Sequence, residues 1–128
     1  IKMDLKEIMQ YANFVVAGDT LNEEKYAYKI KHELIDNGYK VYSVGKELKS
    51  LNDIEEEVDI LDLCINPPAG LKLLKENKKK FKGVIIQPGA GSEEITKFLD
   101  ENNYNYMDGC LLVGIRLYPK NVTKMYKK

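Results

Sequence analysis

The sequence has 128 residues, which is enough for one domain with a hydrophobic core and too few for two ordinary domains. Twenty Lys and Arg residues balance twenty Asp and Glu residues, so no net positive charge favours nucleic acid or an anionic membrane. The longest apolar run, 111-LLVGI-115, is far shorter than the roughly 20 residues of a membrane-spanning helix, and no export signal is visible, so we expect a cytoplasmic protein.

Helical and strand patterns alternate through the first half of the chain. Ala27, Ile30 and Leu34 recur at the spacing of one helix face, and Gly38 follows them as a natural stop. Val- and Tyr-rich runs before and after this helix have the composition of strands. The predicted elements are a short helix over 4–11 within an extra N-terminal segment (1–12), a strand over 14–18, a helix over 22–37, and strands over 39–45 and 58–65.

The second half continues the alternation. The pair Pro67-Pro68 allows a helix to start but not to pass through it. The predicted elements are a helix over 69–81, a doubly buried strand over 83–87, a helix over 92–102, a strand over 104–107 and a basic tail over 119–128 that frays. Such alternation predicts one α/β domain over 1–128, a three-layer, doubly wound, mostly parallel sheet of five strands.

In an open parallel sheet, ligands bind beyond the carboxyl ends of the strands. This rule selects the loops that follow the predicted strands as candidates for a ligand site. They are 18–25, 44–47, 65–70 and 87–92, with 108–110 as an outlying candidate.

The first loop has two interpretations. Thr20 with Glu23 three residues later is a capping-box pattern that serves the following helix alone. Thr20, Lys25 and the backbone N–H groups instead favour a bound anion, although Asp19 brings a negative charge. A dinucleotide fingerprint needs three glycines and this loop supplies only Gly18, so a standard NAD site is not expected.

Two further loops offer different features. The loop 87-QPGAGS-92 has two glycines that expose its backbone, and Ser92 is a natural N-cap for the next helix. The loop 66-NPP-68 offers a rigid apolar wall with Asn66 as a polar group, or simply a strong helix start.

The residues that most often carry chemistry form no catalytic or metal-binding motif in this sequence. His32 is expected on the exposed face of its helix. Asp59 and Asp62 are interpreted as marking the ends or the edge of a strand. Cys64 is expected to be a small core residue, and Cys110 is more readily structural than reactive. We therefore predict no catalytic residue and no metal site.

A set of short motifs runs in a fixed order from about Val15 to Leu111. They are the turn 18-GDT-20, Lys25 followed by Ala27-Tyr28, the segment 38-GYKVYSV-44, Val-Asp-Ile at 58–60, 66-NPP-68, Gln87, Glu93-Glu94 and 107-MDGC-110. Each motif is weak alone, but their order and spacing resemble the small bacterial CoA-binding domain proteins. These are stand-alone relatives of the CoA-binding domain of the succinyl-CoA synthetase alpha subunit.

The resemblance implies a Rossmann-like domain that binds coenzyme A without catalysing a reaction. It places the pyrophosphate at the first strand–helix turn, and the nucleotide and pantetheine arm along the loops after the second and third strands. The cofactor-binding residues that it implies are Gly18, Asp19, Thr20, Lys25, Tyr28, Val44, Gly45, Lys46, Asn66, Pro67, Pro68, Gln87, Pro88 and Gly89.

The partners expected from the sequence follow from this resemblance. The ligand would be coenzyme A or an acyl-CoA. No nucleic acid or membrane partner is expected because the net charge is zero, and the run 78-KKKFK-82 is interpreted as solvated charge rather than a nucleic-acid site. An alternative is a regulatory or protein-interaction domain that kept the fold and lost the ligand; a third is an enzyme with Cys110 as nucleophile. Exposed tyrosines at 104–107 and the N-terminal helix leave room for a homodimer.

Overall fold

The computed structural model describes residues 2–120, so the predicted tail lies outside the described residues from 121 onward. The elements are α1 (Leu5–Ile8), β1 (Asn13–Gly18), α2 (Tyr26–Asp36), β2 (Lys40–Gly45), a one-turn 3-10 helix (Leu51–Asp53), β3 (Ile60–Cys64), α3 (Pro67–Glu76), β4 (Gly83–Ile86), α4 (Glu93–Glu101), β5 (Tyr106–Asp108) and α5 (Leu111–Leu117). None of the helices in this part of the chain has the length and apolar content needed to cross a bilayer.

The five strands form one parallel sheet in the order β2-β1-β3-β4-β5. Side chains alternate between the two faces of β1, and both sets are buried. Val15 and Ala17 pack in the layer with α3 and α4, whereas Phe14 and Val16 pack in the layer with α1, α2 and α5. The predicted fold class, a three-layer, Rossmann-like α/β domain with a five-stranded sheet, is confirmed, and the sheet is parallel throughout.

Two helices begin with a side-chain cap. Helix α4 starts within one residue of the prediction, whereas α3 starts at Pro67 rather than at residue 69 and ends at Glu76 rather than at residue 81. The Oδ1 atom of Asn66 accepts a hydrogen bond from the Ala69 N–H at 3.0 Å, and the proline pair occupies the first two positions of α3. Ser92 caps α4 in the same way, because its Oγ accepts a hydrogen bond from the Ile95 N–H at 3.1 Å. Side-chain oxygens thus satisfy amides that the first turn of a helix leaves unpaired.

The expected capping box of Thr20 and Glu23 is wrong. Helix α2 begins at Tyr26 rather than at residue 22, and its N-cap residue is Lys25. The Thr20 side chain is 1% exposed and donates a hydrogen bond to Glu47 Oε1 at 3.1 Å. A tertiary contact with a residue 27 positions away therefore takes the hydroxyl that the local pattern assigned to the helix.

The last helix, α5, is absent from the predicted elements. Its sequence, LLVGIRL, contains a glycine and two β-branched residues, which lower helix propensity. Its first amide, the Leu111 N–H, donates to Oε1 of the buried Gln87 at 2.8 Å, and the apolar side of the helix covers the sheet. Packing therefore stabilises a helix that propensity does not indicate.

The strand β5 begins two residues later than predicted. Tyr106 is buried rather than exposed, and its hydroxyl donates to Asp100 Oδ1 at 2.7 Å. The tyrosines that we expected on an exposed surface for a homodimer belong to the layer of α3 and α4 instead, because Tyr104 packs against the same layer as Tyr106.

Asp62 does not mark the edge of a strand, as we expected from the sequence. It is the third residue of the central strand β3, pairs in register with Val16 and Ile85, and is 0% exposed. Within residues 2–120 neither of its carboxylate oxygens has a hydrogen-bond partner. Burial raises the pKa of Asp62 well above its ordinary value, which favours the protonated form of the carboxyl group.

Replacement of Asp62 by valine is expected to stabilise the domain. A buried polar group without a partner costs about 1–3 kcal/mol, and valine suits a strand while filling a similar volume. Urea denaturation at pH 7 should show a free energy of unfolding that is higher by about this amount. An unchanged or lower value would mean that the carboxyl group has a stabilising partner.

The same residue predicts a dependence of stability on pH. The folded state keeps a proton that the unfolded chain releases above about pH 4, so the free energy of unfolding falls as the pH rises from there toward the raised pKa of folded Asp62. Asp62→Asn removes this titration, and unfolding curves between pH 5 and 8 should show a smaller decline for the variant. Parallel curves for the two proteins would contradict the assignment.

Candidate functional site

A cavity of about 590 Å³ opens at the carboxyl ends of β1, β2, β3 and β4. The chain leaves β1 toward β2 on one side and later returns to β3 on the other, so the cavity lies where the strand order reverses. Its size is typical of small-molecule sites. It is lined by Gly18, Asp19, Lys25, Tyr26, Ala27, Gly45, Lys46, Cys64, Ile65, Asn66, Pro88, Gly89 and Ala90.

Two glycines form the floor of this cavity. Gly18 and Gly45 end β1 and β2 in register with each other. A Cβ atom on Gly18 would collide with the carbonyl oxygen of Cys64, and one on Gly45 would lie 2.7 Å from the carbonyl oxygen of Gly18. Gly45 also has a φ of +131°, which L side chains rarely adopt. The three strand ends therefore approach closely only because both positions lack a side chain.

The N-terminus of α2 opens into the cavity. Lys25 and the first helical residues, Tyr26 and Ala27, all line it. Within residues 2–120 no side chain caps this helix, and its first turn contains no acidic residue. The helices α1, α3 and α4, in contrast, are each capped by a side chain. The amides and the positive dipole end of α2, together with two lysines in the same lining, Lys25 and Lys46, make the cavity suitable for an anion.

Asp19 lines the cavity but also shapes the loop before α2. Its Oδ1 atom accepts hydrogen bonds from the N–H groups of Leu21 and Asn22, both at 3.2 Å. A turn in which an aspartate side chain accepts hydrogen bonds from the backbone N–H groups that follow it competes with helix formation. Asp19 therefore explains why α2 starts late, and the loop engages one of its two carboxylate oxygens.

Glu47 holds the loops after β1 and β2 together. Its Oε1 atom accepts hydrogen bonds from Lys31 Nζ at 2.7 Å and from Thr20 Oγ1 at 3.1 Å. The hydrogen bond from Lys31, more than that from Thr20, holds the pKa of Glu47 below its ordinary value. The carboxylate near the cavity is thus neutralised by a lysine on α2.

Cys64 contributes a thiol to the cavity wall at the end of β3. Burial, with smaller contributions from Asp62 and Cys110, raises the pKa of this thiol to about 12. The thiolate is the nucleophilic form of cysteine, so Cys64 is a weak nucleophile at neutral pH. Cys64 is half-buried and contacts the core rather than lying fully within it, and Cys110 is the N-cap residue of α5.

The structure brings together eight of the residues that the resemblance implied. These are Gly18, Asp19, Lys25, Gly45, Lys46, Asn66, Pro88 and Gly89. The remaining six, Thr20, Tyr28, Val44, Pro67, Pro68 and Gln87, are not part of the cavity lining.

Local geometry accounts for several of the excluded residues. Val44 is fully buried in the layer of α3 and α4, as strand alternation requires. Gln87 is committed to the N-terminus of α5. Tyr28 lies against His32 with ring centroids 4.1 Å apart, and His32 is exposed, as expected.

Sequence reasoning missed five lining residues, Tyr26, Ala27, Cys64, Ile65 and Ala90. Tyr26 and Ala27 could be assigned only after the true start of α2 was known. Cys64 and Ile65 follow from the end of β3, because residues just past a strand end face the ligand edge of a parallel sheet.

Comparison with known proteins identifies the family. The model of the CoA binding domain matches residues 12–116. The chain belongs to the CoA binding domain family. No curated protein matches this sequence.

Solved structures share the fold. A conserved hypothetical protein from Pyrococcus furiosus is 29% identical, with a TM-score of 0.75 over 80% of this chain and 98% of that chain. A protein from Thermus thermophilus is 23% identical, with a TM-score of 0.73 over 89% of this chain and 98% of that chain. The PH1109 protein redesigned for binding is 19% identical, with a TM-score of 0.76 over 90% of this chain and 89% of that chain. Because the last two proteins are less than 25% identical to this chain, their similarity shows the fold alone.

Replacement of Glu47 by glutamine is expected to lower the free energy of unfolding at pH 7 by about 0.5–1 kcal/mol, the range of a partly exposed ion pair. Because the pKa of folded Glu47 is lowered, its contribution is present above about pH 4.3 and is lost as the pH falls through the folded pKa. The exposed Glu55, changed to Gln, is the matched control. Urea denaturation should show a smaller difference at pH 3 than at pH 7; equal stability of the two proteins at pH 7 would show that the ion pair contributes nothing.

Cys64 is expected to resist alkylation although it faces a cavity. With a pKa of about 12, only about one thiol in 10,000 is ionised at pH 8. Mass spectrometry of native protein treated with iodoacetamide at pH 8 should show Cys64 unmodified after the urea-unfolded chain has reacted fully. Equal rates in the native and unfolded states would show that the thiol is not perturbed.

Proposed function

We propose that this protein is a binding module for coenzyme A or an acyl-CoA, held in the cavity at the carboxyl edge of the sheet, and that it catalyses no reaction itself. The observation that carries the proposal is the N-terminus of α2, which has no side-chain cap and whose first residues line the cavity together with Lys25 and Lys46. Membership of the CoA binding domain family supports the same ligand.

The pyrophosphate of the ligand is assigned to the first turn of α2. Helix amides and the dipole favour a phosphate there, and the two lysines contribute positive charge. The family resemblance implies Gly18, Thr20 and Lys25 for this group. The geometry supports Gly18 and Lys25 and replaces Thr20 with the backbone of Tyr26 and Ala27, because Thr20 is buried against Glu47.

The pantetheine arm is assigned to the opposite wall of the cavity. Ile65 supplies an apolar surface after β3, and the segment 88–90 supplies another after β4. Asn66 also lines the cavity, with its Oδ1 atom engaged as the cap of α3. An apolar channel with a few polar groups suits a flexible chain that carries amide bonds.

The side chains in the cavity favour binding over catalysis. The titratable residues in its lining are Asp19, Lys25, Tyr26, Lys46 and Cys64. Asp19 is engaged by its own loop, and the raised pKa of Cys64 makes its thiol a poor nucleophile. These features support a module that holds or delivers the cofactor.

Reversal of one charge should test the anion site. Lys25→Glu is expected to weaken CoA binding about 10- to 100-fold, the effect of losing a hydrogen bond to a charged group. Lys72→Glu, an exposed lysine on α3 outside the cavity lining, is the matched control and should bind as the wild type does. Isothermal titration with CoA and acetyl-CoA measures both affinities.

Two results would contradict the proposal. If wild-type protein shows no heat with millimolar CoA or acetyl-CoA, the domain has lost its ligand and the protein-interaction alternative is favoured. If it binds CoA and both lysine variants lose affinity equally, the anion is not held at the start of α2.

A further inference from the structure

Tyr26 is an exposed aromatic residue at the phosphate end of the cavity. It is the first residue of α2, it is among the residues that line the cavity, and it is 63% exposed. Tyr28, two positions later on the same helix, is half-buried and packs against His32 outside the cavity. An exposed aromatic ring beside an anion site is a surface on which a planar group can stack.

We infer that Tyr26 is the stacking surface for the nucleobase of the ligand, so that this site selects phosphates that carry an aromatic base. This inference rests on the proposed function, since it places the base next to the phosphates assigned to α2. The Lys29 ammonium lies 5.3 Å from the centroid of the Tyr26 ring. It covers one face of the ring, and the base stacks on the other face.

The position of the ring explains why the base and the phosphate are recognised together. The N–H of Tyr26 belongs to the uncapped first turn, and its ring is attached to the same residue. A phosphate at that turn therefore brings a base on a ribose within reach of the ring. Phosphopantetheine, which has a phosphate and the pantetheine arm but no base, lacks this contact.

Stacking of one base on an aromatic side chain contributes a factor of about 5 to 150 in affinity. Tyr26→Leu is therefore expected to weaken binding of CoA and of ADP by about that factor and to leave binding of phosphopantetheine unchanged. Tyr26→Phe keeps the ring and should retain wild-type affinity. Tyr28→Leu, the matched control on the same helix, should bind all three ligands as the wild type does.

The absence of tryptophan from the sequence allows a direct optical test. Tyr26→Trp introduces a single indole at the proposed stacking position, and its fluorescence should be quenched as CoA or ADP saturates the site. The fluorescence of Tyr28→Trp should not change. Phosphopantetheine should quench neither variant.

The outcomes separate this inference from the proposed function. If wild-type protein binds neither CoA nor ADP, both fail. If it binds CoA and Tyr26→Leu binds equally well, only the stacking role of Tyr26 is overturned. If Tyr26→Leu loses affinity for all three ligands by the same factor while its circular dichroism is unchanged, Tyr26 supports the phosphate turn and not the base, and the inference is overturned.

Discussion

The close approach of three strand ends is the constraint on which the candidate site depends. β1, β2 and β3 converge at Gly18, Gly45 and Cys64, where a side chain on either glycine would meet a backbone carbonyl oxygen. Because the floor is backbone only, the cavity above it is deep enough to reach the start of α2. Larger residues at these positions would separate the strands and break the hydrogen bonds that join them.

A second feature is that one helix end is left without a cap. Asp19 bonds its own loop and Thr20 bonds Glu47, so neither side chain reaches the amides of α2. Lys25 stands in the N-cap position, where a carboxylate or hydroxyl would ordinarily accept a hydrogen bond. The hydrogen bonds of the loop between β1 and α2 therefore stabilise that loop and leave the N-terminus of α2 available to an anion.

Much of the fold was predictable because it follows from local patterns. The apolar run of β4 predicts a strand covered on both faces, and Ser92 marks the start of α4, as the structure confirms. The proline pair predicts a helix that follows it, and α3 includes the pair itself. The helix α5 and the burial of Asp62 were not predictable. The helix α5 depends on packing against the sheet, and the burial of Asp62 depends on which strand is central. Neither property can be read from a short segment of sequence.

By itself, the sequence determined the α/β alternation, the family and the edge of the sheet at which a ligand would bind. Periodicity, helix caps and motif order depend on residues that are close together in the sequence, so they can be recognised without the structure. Only the tertiary structure decided which side chains line the cavity. It turned Thr20 toward Glu47, placed Tyr26 rather than Tyr28 at the cavity and committed Gln87 to α5. These side-chain positions depend on hydrogen-bond partners that are far apart in the chain. Such partners come together only when the strands and helices have packed.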